Sequence, residues 1–143
     1  MCVCVPVCVC MCVSISIFAG VLLISAALMF LGPETADATF ANRHINPGMT
    51  PGQCTDVMNR RNIRDGNKCK PLNTFIDGSL EEVSANCGNG RNKFDVILCN
   101  LTKETRNRCI YDGAEYYGIP VVKCDANNNP YHLDRVIYTI PPQ

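Results

Sequence analysis

The apolar positions of this chain fall into three regimes: a continuous run over residues 13–31, helix-like spacing up to about residue 86, and strand-like runs from residue 92 onward. Residues 40–45 start a short helix that Pro47 and Gly48 end, because proline cannot continue a helix and biases the residue before it toward extended geometry. Over 52–61, Cys54, Val57 and Met58 lie at helical spacing, which predicts a second helix with an exposed Arg60–Arg61 end. Ser79 followed three residues later by Glu82 forms a capping box, so a third helix runs to about residue 86 and buries Leu80 and Val83. Between these helices, residues 70–76 are strand-like. The later runs 94–101, 108–111, 116–124 and 132–140 are strands, with Asp112-Gly113 and residues 127–130 supplying turns. Helices gathered early and strands gathered late predict an α+β domain, with three short helices packed on a curved antiparallel sheet. Neither an internal repeat nor a domain linker interrupts it.

The run over 13–31 is followed by polar residues and by the small-x-small triplet Ala36-Asp37-Ala38, the pattern of an export signal cut after Ala38. Residues 1–38 are then a targeting segment and residues 39–143 the folded domain. The absence of Lys or Arg before the run leaves an uncleaved signal anchor as the alternative. Residues 1–12 alternate Cys and Val, as a translated TG repeat would. This stretch reads as a gene-model artefact with Met11 the true start, the competing idea being a cysteine-rich metal site without His or acidic partners.

Removing that segment changes the arithmetic twice. The whole chain carries 13 Lys plus Arg against 13 Asp plus Glu, for zero net charge. All the bases follow residue 42, whereas Glu34 and Asp37 precede Thr39, so a chain starting there has a net charge of about +2. That bias toward polyanions is too small to identify a nucleic-acid binder by itself. The cysteines fall from 11 to an even six, Cys54, Cys69, Cys87, Cys99, Cys109 and Cys124. An even set behind an export signal reads as a disulfide framework, and spacing alone leaves its pairing open. The alternative, free or zinc-bound thiols in the cytosol, lacks any C-x-x-C pair in this region.

Only two histidines occur, His44 near the start of the domain and His132 near its end. A lone histidine is ordinarily a surface or core residue. An opposed pair is what phosphodiester transesterification needs, one imidazole taking a proton from the attacking hydroxyl and the other giving one to the leaving oxygen. An unperturbed value of about 6.5 lets both forms exist near neutrality. A fixed cation such as Lys70 would stabilise the charge gathered at phosphorus.

At Lys70 the sequence Cys69-Lys70-Pro71-Leu72-Asn73-Thr74-Phe75 resembles the Cys-Lys-x-x-Asn-Thr-Phe signature of the pancreatic ribonuclease superfamily, which includes the angiogenins. Phe40-Ala41-Asn42-Arg43-His44 is similar to that family's N-terminal Phe-x-x-x-His helix, and Pro130-Tyr131-His132-Leu133-Asp134 to its C-terminal histidine strand. The likeness covers essentially everything after residue 38. It implies a catalytic set of His44 as general base on the ribose 2′-hydroxyl, His132 as general acid on the 5′-oxygen and Lys70 as transition-state cation. Arg43, Asn73, Thr74, Leu133 and Asp134 are the implied substrate-binding set. Thr74 would read a pyrimidine, Asp134 would orient His132, and Asn73 would support the site. The implied bridges are Cys54–Cys99, Cys69–Cys109 and Cys87–Cys124. The fourth bridge of the mammalian pancreatic enzyme is missing, as in angiogenins, and Arg43 replaces the usual glutamine beside the first histidine.

The function expected from this resemblance is a secreted endoribonuclease that cuts single-stranded RNA 3′ to pyrimidines through a 2′,3′-cyclic phosphate, working as a monomer without metal or cofactor. The requirement for a 2′-hydroxyl selects RNA over DNA. A second reading is an angiogenin-like or host-defence protein that acts mainly on cell-surface or microbial-membrane targets, with weak catalysis. Arg60, Arg61 and Arg64 resemble the basic cluster that serves angiogenins in nuclear entry, the plainer reading being a solvated helix end. Asn100-Leu101-Thr102 is an N-glycosylation sequon. Tyr111, Tyr116, Tyr117 and Tyr131 suit base stacking or, more simply, sheet packing.

Overall fold

The computed structural model describes residues 36–140, with side chains from Thr39 onward. The apolar run, the Cys-Val repeat and the alternatives attached to them lie outside the described residues. Helix α1 spans Ala36–His44, beginning four residues earlier than the sequence pattern predicts. A cut after Ala38 would therefore remove its first three residues. A turn at Pro47-Gly48, where Gly48 takes φ +75°, redirects the chain after it.

A 3-10 turn at Pro51–Gln53 runs directly into α2, Cys54–Arg60. Two short strands, β1 (Arg64–Asp65) and β2 (Lys68–Cys69), form a hairpin that the sequence pattern does not reveal. Strand β3 covers Leu72–Asp77 and leads into α3, Leu80–Ser84. The Ser79–Glu82 capping box closes as the sequence predicts, with Glu82 N–H donating to Ser79 Oγ at 3.1 Å and Ser79 N–H to Glu82 Oε2 at 2.7 Å. Three long strands complete the fold: β4 (Phe94–Glu104), β5 (Cys109–Cys124) and β6 (Pro130–Tyr138). They pair antiparallel in the order β3-β4-β5-β6. This is the α+β class, with short helices and an antiparallel sheet.

One turn expected from the sequence is absent. Asp112-Gly113 lies inside β5, paired with Asn100 and Cys99 of β4, so the two expected strands are a single strand of 16 residues. Gly113 marks a close backbone approach, since a Cβ there would meet the Pro51 carbonyl oxygen at 2.2 Å. The glycine lets the segment leading into α2 lie directly on the sheet.

The core has two clusters. Around α2, Met49, Val57, Met58 and Ile63 pack with Phe75, Ile97 and Tyr111 of the sheet. Around α1 and α3, Phe40, Ile45 and Val83 pack with Ile76, Phe94, Val96 and Val122. Disulfides join Cys54 to Cys99, Cys69 to Cys109 and Cys87 to Cys124, closing sequence separations of 45, 40 and 37 residues. In the chain-entropy account, loops of that length contribute about 4 kcal/mol each by restricting the unfolded chain. The first bridge ties α2 to β4, the second ties β2 to β5, and the third ties the turn after α3 to the end of β5.

Candidate active site

His44 is the last residue of α1 and lies half-buried with its ring 5.1 Å from that of Phe40. Its Nδ1 lies 2.8 Å from the Thr74 carbonyl oxygen of β3. A carbonyl only accepts, so Nδ1 carries the proton and the lone pair of the neutral ring is on Nε2. Burial is the main influence lowering the His44 pKa from 6.5 to about 4. The Thr74 contact opposes that shift, while the charges of Lys70, Arg43 and His132 add to it. The ring is therefore neutral near pH 7.

Arg61 locks the helix that carries this ring. Its guanidinium donates to the carbonyls of Ala41, Asn42 and Ile45 at 3.5, 3.0 and 2.8 Å, capping the helix C-terminus, where the Ala41 carbonyl also accepts the Ile45 N–H at 3.0 Å. It also stands 5.8 Å over the Phe75 ring, next to Thr74 in β3. The expected basic cluster is thus divided among separate tasks. Arg60 pairs with Asp56 at 3.1 Å in solvent, Arg61 turns inward, and Arg64 donates to the Asn67 carbonyl at 3.3 Å. Sequence spacing placed Arg61 on an exposed end because its carbonyl partners come from a segment 16 to 20 residues earlier.

Lys70 is positioned from both its ends. Its Nζ donates to Asn73 Oδ1 at 2.9 Å, and its carbonyl accepts the Tyr111 hydroxyl at 2.7 Å. Burial, followed by the charge of Arg43, lowers its pKa, and Asp65 partly opposes this. Asn73 is only 2% exposed, and its Nδ2 donates to the Arg43 carbonyl at 2.8 Å. One buried amide therefore joins the end of α1 to the lysine. Tyr111 thus has a specific task in the site, one that its place in a strand did not signal.

A cleft of about 360 Å³ opens over this arrangement. His44, Lys70, Asn73, Thr74, Leu133 and Asp134 all line it, with Leu98, Val136 and Tyr138 adding apolar wall that the sequence reading did not single out. Arg43 and His132 are not lining residues, although His44 senses the charge of both. His132 is exposed on β6 opposite Lys123. The β5–β6 register skips Tyr131 and Asp134, so a bulge flanks His132 on either side. Asp134 is the unpaired residue of its bulge, and its carboxylate meets Arg135 at 2.6 Å.

The comparisons with known proteins agree with this architecture. The family model described as pancreatic ribonuclease matches residues 35–134. The chain belongs to the pancreatic ribonuclease family. It is 28% identical to the brain ribonuclease of Bos taurus over 127 residues, covering 75% of this chain and 75% of the bovine protein. It is also 28% identical to the pancreatic ribonuclease of Mus saxicola over 137 residues, covering 82% of this chain and 91% of the mouse protein. Among solved structures it resembles zebrafish RNase5, at 26% identity and a TM-score of 0.64, over 70% of this chain and 93% of that one. RNase ZF-3E aligns at 30% identity with the same TM-score, over 71% of this chain and 96% of its own. As a member of the family the chain is an endoribonuclease, and RNA is its substrate class.

Proposed function

We propose that this pancreatic-type ribonuclease cleaves single-stranded RNA 3′ to pyrimidines, with His44 as general base, His132 as general acid and Lys70 as the cation at phosphorus. The observation that carries the reading is the Nδ1 contact of His44 with the Thr74 carbonyl, which leaves a neutral ring with its basic nitrogen unused in the cleft wall. In the first step Nε2 accepts the proton of the ribose 2′-hydroxyl as that oxygen attacks phosphorus. The bond from phosphorus to the 5′-oxygen breaks, His132 protonates that oxygen, and a 2′,3′-cyclic phosphate results. Hydrolysis of the cycle reverses the two roles. His132 makes no side-chain hydrogen bond among the described residues, so its ring is free to turn to the leaving oxygen.

Base choice rests on Thr74, whose hydroxyl has no protein partner among the described residues. A hydroxyl donates to the ring nitrogen of cytosine or accepts from that of uracil, and the threonine N–H suits the carbonyl oxygen common to both. The walls from Leu98, Leu133 and Val136 suit the faces of a base. Within this reading, Arg43 attracts the phosphate chain and Asn73 holds Lys70 in place. Three disulfides suit an oxidising compartment, which supports secretion with residues 1–38 as the export segment and 39–143 as the mature domain.

Cleavage of dinucleotides that differ only in the first base tests the proposal, with the product followed by phosphorus NMR. A cyclic phosphate formed from uridine and cytidine substrates, and lost in His132→Ala, is the expected result. Equal cleavage after purines, or an unaltered rate in His132→Ala, would overturn it.

A further inference from the structure

We propose that Asn100 carries an N-linked oligosaccharide that stands beside the catalytic cleft and selects against long RNA. This rests on the secretion reading above. Asn100-Leu101-Thr102 meets the sequon requirement, with leucine between the two polar residues. Asn100 is exposed, and among the described residues its side chain has no hydrogen-bond partner, so nothing in the fold occupies the amide that would be modified.

Sheet register fixes what the sugar would stand next to. Thr74 lies opposite Leu98, and Leu72 opposite Asn100. Alternate residues share a face, so Thr74, Leu98, Leu72 and Asn100 form one surface, and the first three of these line the cleft. Two residues of strand separate Asn100 from Leu98, which is about 7 Å along β4. Leu72 is 46% exposed, an apolar shelf that the innermost sugar rings would cover. A short substrate fits between Thr74 and β6 without crossing Asn100. A longer one that continues along β3 and β4 meets the oligosaccharide.

The chemistry is a substitution at a sugar carbon. The Asn100 Nδ2 forms a bond to C1 of an oligosaccharide carried on a lipid pyrophosphate. The C1–O bond breaks, the pyrophosphate departs with its electron pair, and one Nδ2 proton is lost. In the folded domain β4 is paired on both sides at Asn100, with Leu72 and Asp112, and Thr102 Oγ1 donates to the Ile110 carbonyl at 3.3 Å. Transfer therefore takes place on the unfolded chain, before Cys99 closes onto Cys54.

The test is expression of the full chain in a eukaryotic secreting cell, with wild type, Asn100→Gln and Thr102→Ala compared by mass. Secreted wild type carrying an oligosaccharide that both variants lack is the expected result. Secreted but bare wild type overturns the glycan while leaving secretion intact. Failure to reach the medium refutes secretion and the glycan with it. The functional half uses a dinucleotide beside oligonucleotides lengthened at the 5′ or the 3′ end. Wild type and Asn100→Gln should cleave the dinucleotide equally, whereas the variant should gain several-fold in kcat/KM on the oligonucleotide lengthened across Asn100. Equal rates on every substrate would overturn the steric role.

Discussion

The two histidines share one side chain and occupy opposite settings. His44 ends a helix, is half-buried, gives its Nδ1 proton to the Thr74 carbonyl and is held neutral by burial. His132 sits in solvent between two bulges on an edge strand and makes no side-chain hydrogen bond among the described residues. Environment alone thus separates a ring suited to accepting a proton from one free to move and deliver it. Asn73, Lys70 and Arg61 secure the ends of α1 and β3 around the first ring, whereas among the described residues no side-chain hydrogen bond ties β6 to those elements.

Removing either ring is the strongest way to break this contrast. His44→Ala and His132→Ala should each lower kcat/KM by roughly 10²- to 10⁴-fold on a dinucleotide, the range for one general acid or base. Equal activity in either variant would refute the assigned pair. Lys70→Ala comes next, with an expected loss of about 10²- to 10³-fold expressed mainly in kcat, as for removal of a preorganised charge contact. A loss confined to KM would show that Lys70 only binds substrate.

A smaller effect is expected at Arg61, which reaches the chemistry only through α1. Arg61→Ala should reduce unfolding stability by about 1–3 kcal/mol in denaturant titration, because it leaves helix-end carbonyls unpartnered. It should also shift the His44 ring resonances in NMR, which a merely solvated arginine would not do. Acid gives a comparable shift in stability with a defined sign. The folded His44 value of about 4 lies below the unfolded 6.5, so the unfolded chain binds the extra proton between them. Stability should fall as pH drops from 6.5 to 4, by on the order of 2–3 kcal/mol, and this increment should vanish in His44→Ala. The smallest effect belongs to Asp134. Its carboxylate is engaged by Arg135, so Asp134→Asn should alter kcat less than about threefold, in contrast to a carboxylate that orients a catalytic ring.

Much of this contrast could be read in the sequence, and the residues show where that ended. The capping box at Ser79 and Glu82 was visible because its partners are three residues apart, and the helix-then-strand order was visible in apolar spacing alone. His44, Lys70 and His132 stood out through their scarcity and through motif likeness. Contacts that join distant segments were hidden. Nothing local tells that Arg61 turns back to α1, that Tyr111 holds the Lys70 carbonyl, or that Gly113 admits Pro51 instead of making a turn. The bulge at Asp134 was hidden for a related reason, since it is defined only by what β5 offers on the other side of the ladder.

The Cys69–Cys109 bridge has a consequence for where the enzyme works. Cys69 immediately precedes Lys70, and its partner lies two residues before the tyrosine that grips the lysine carbonyl. Opening this one bond would slacken both moorings of the proposed catalytic ammonium together. In a reducing, thiol-rich compartment the ammonium would lose its placement at the same moment as the fold lost its brace.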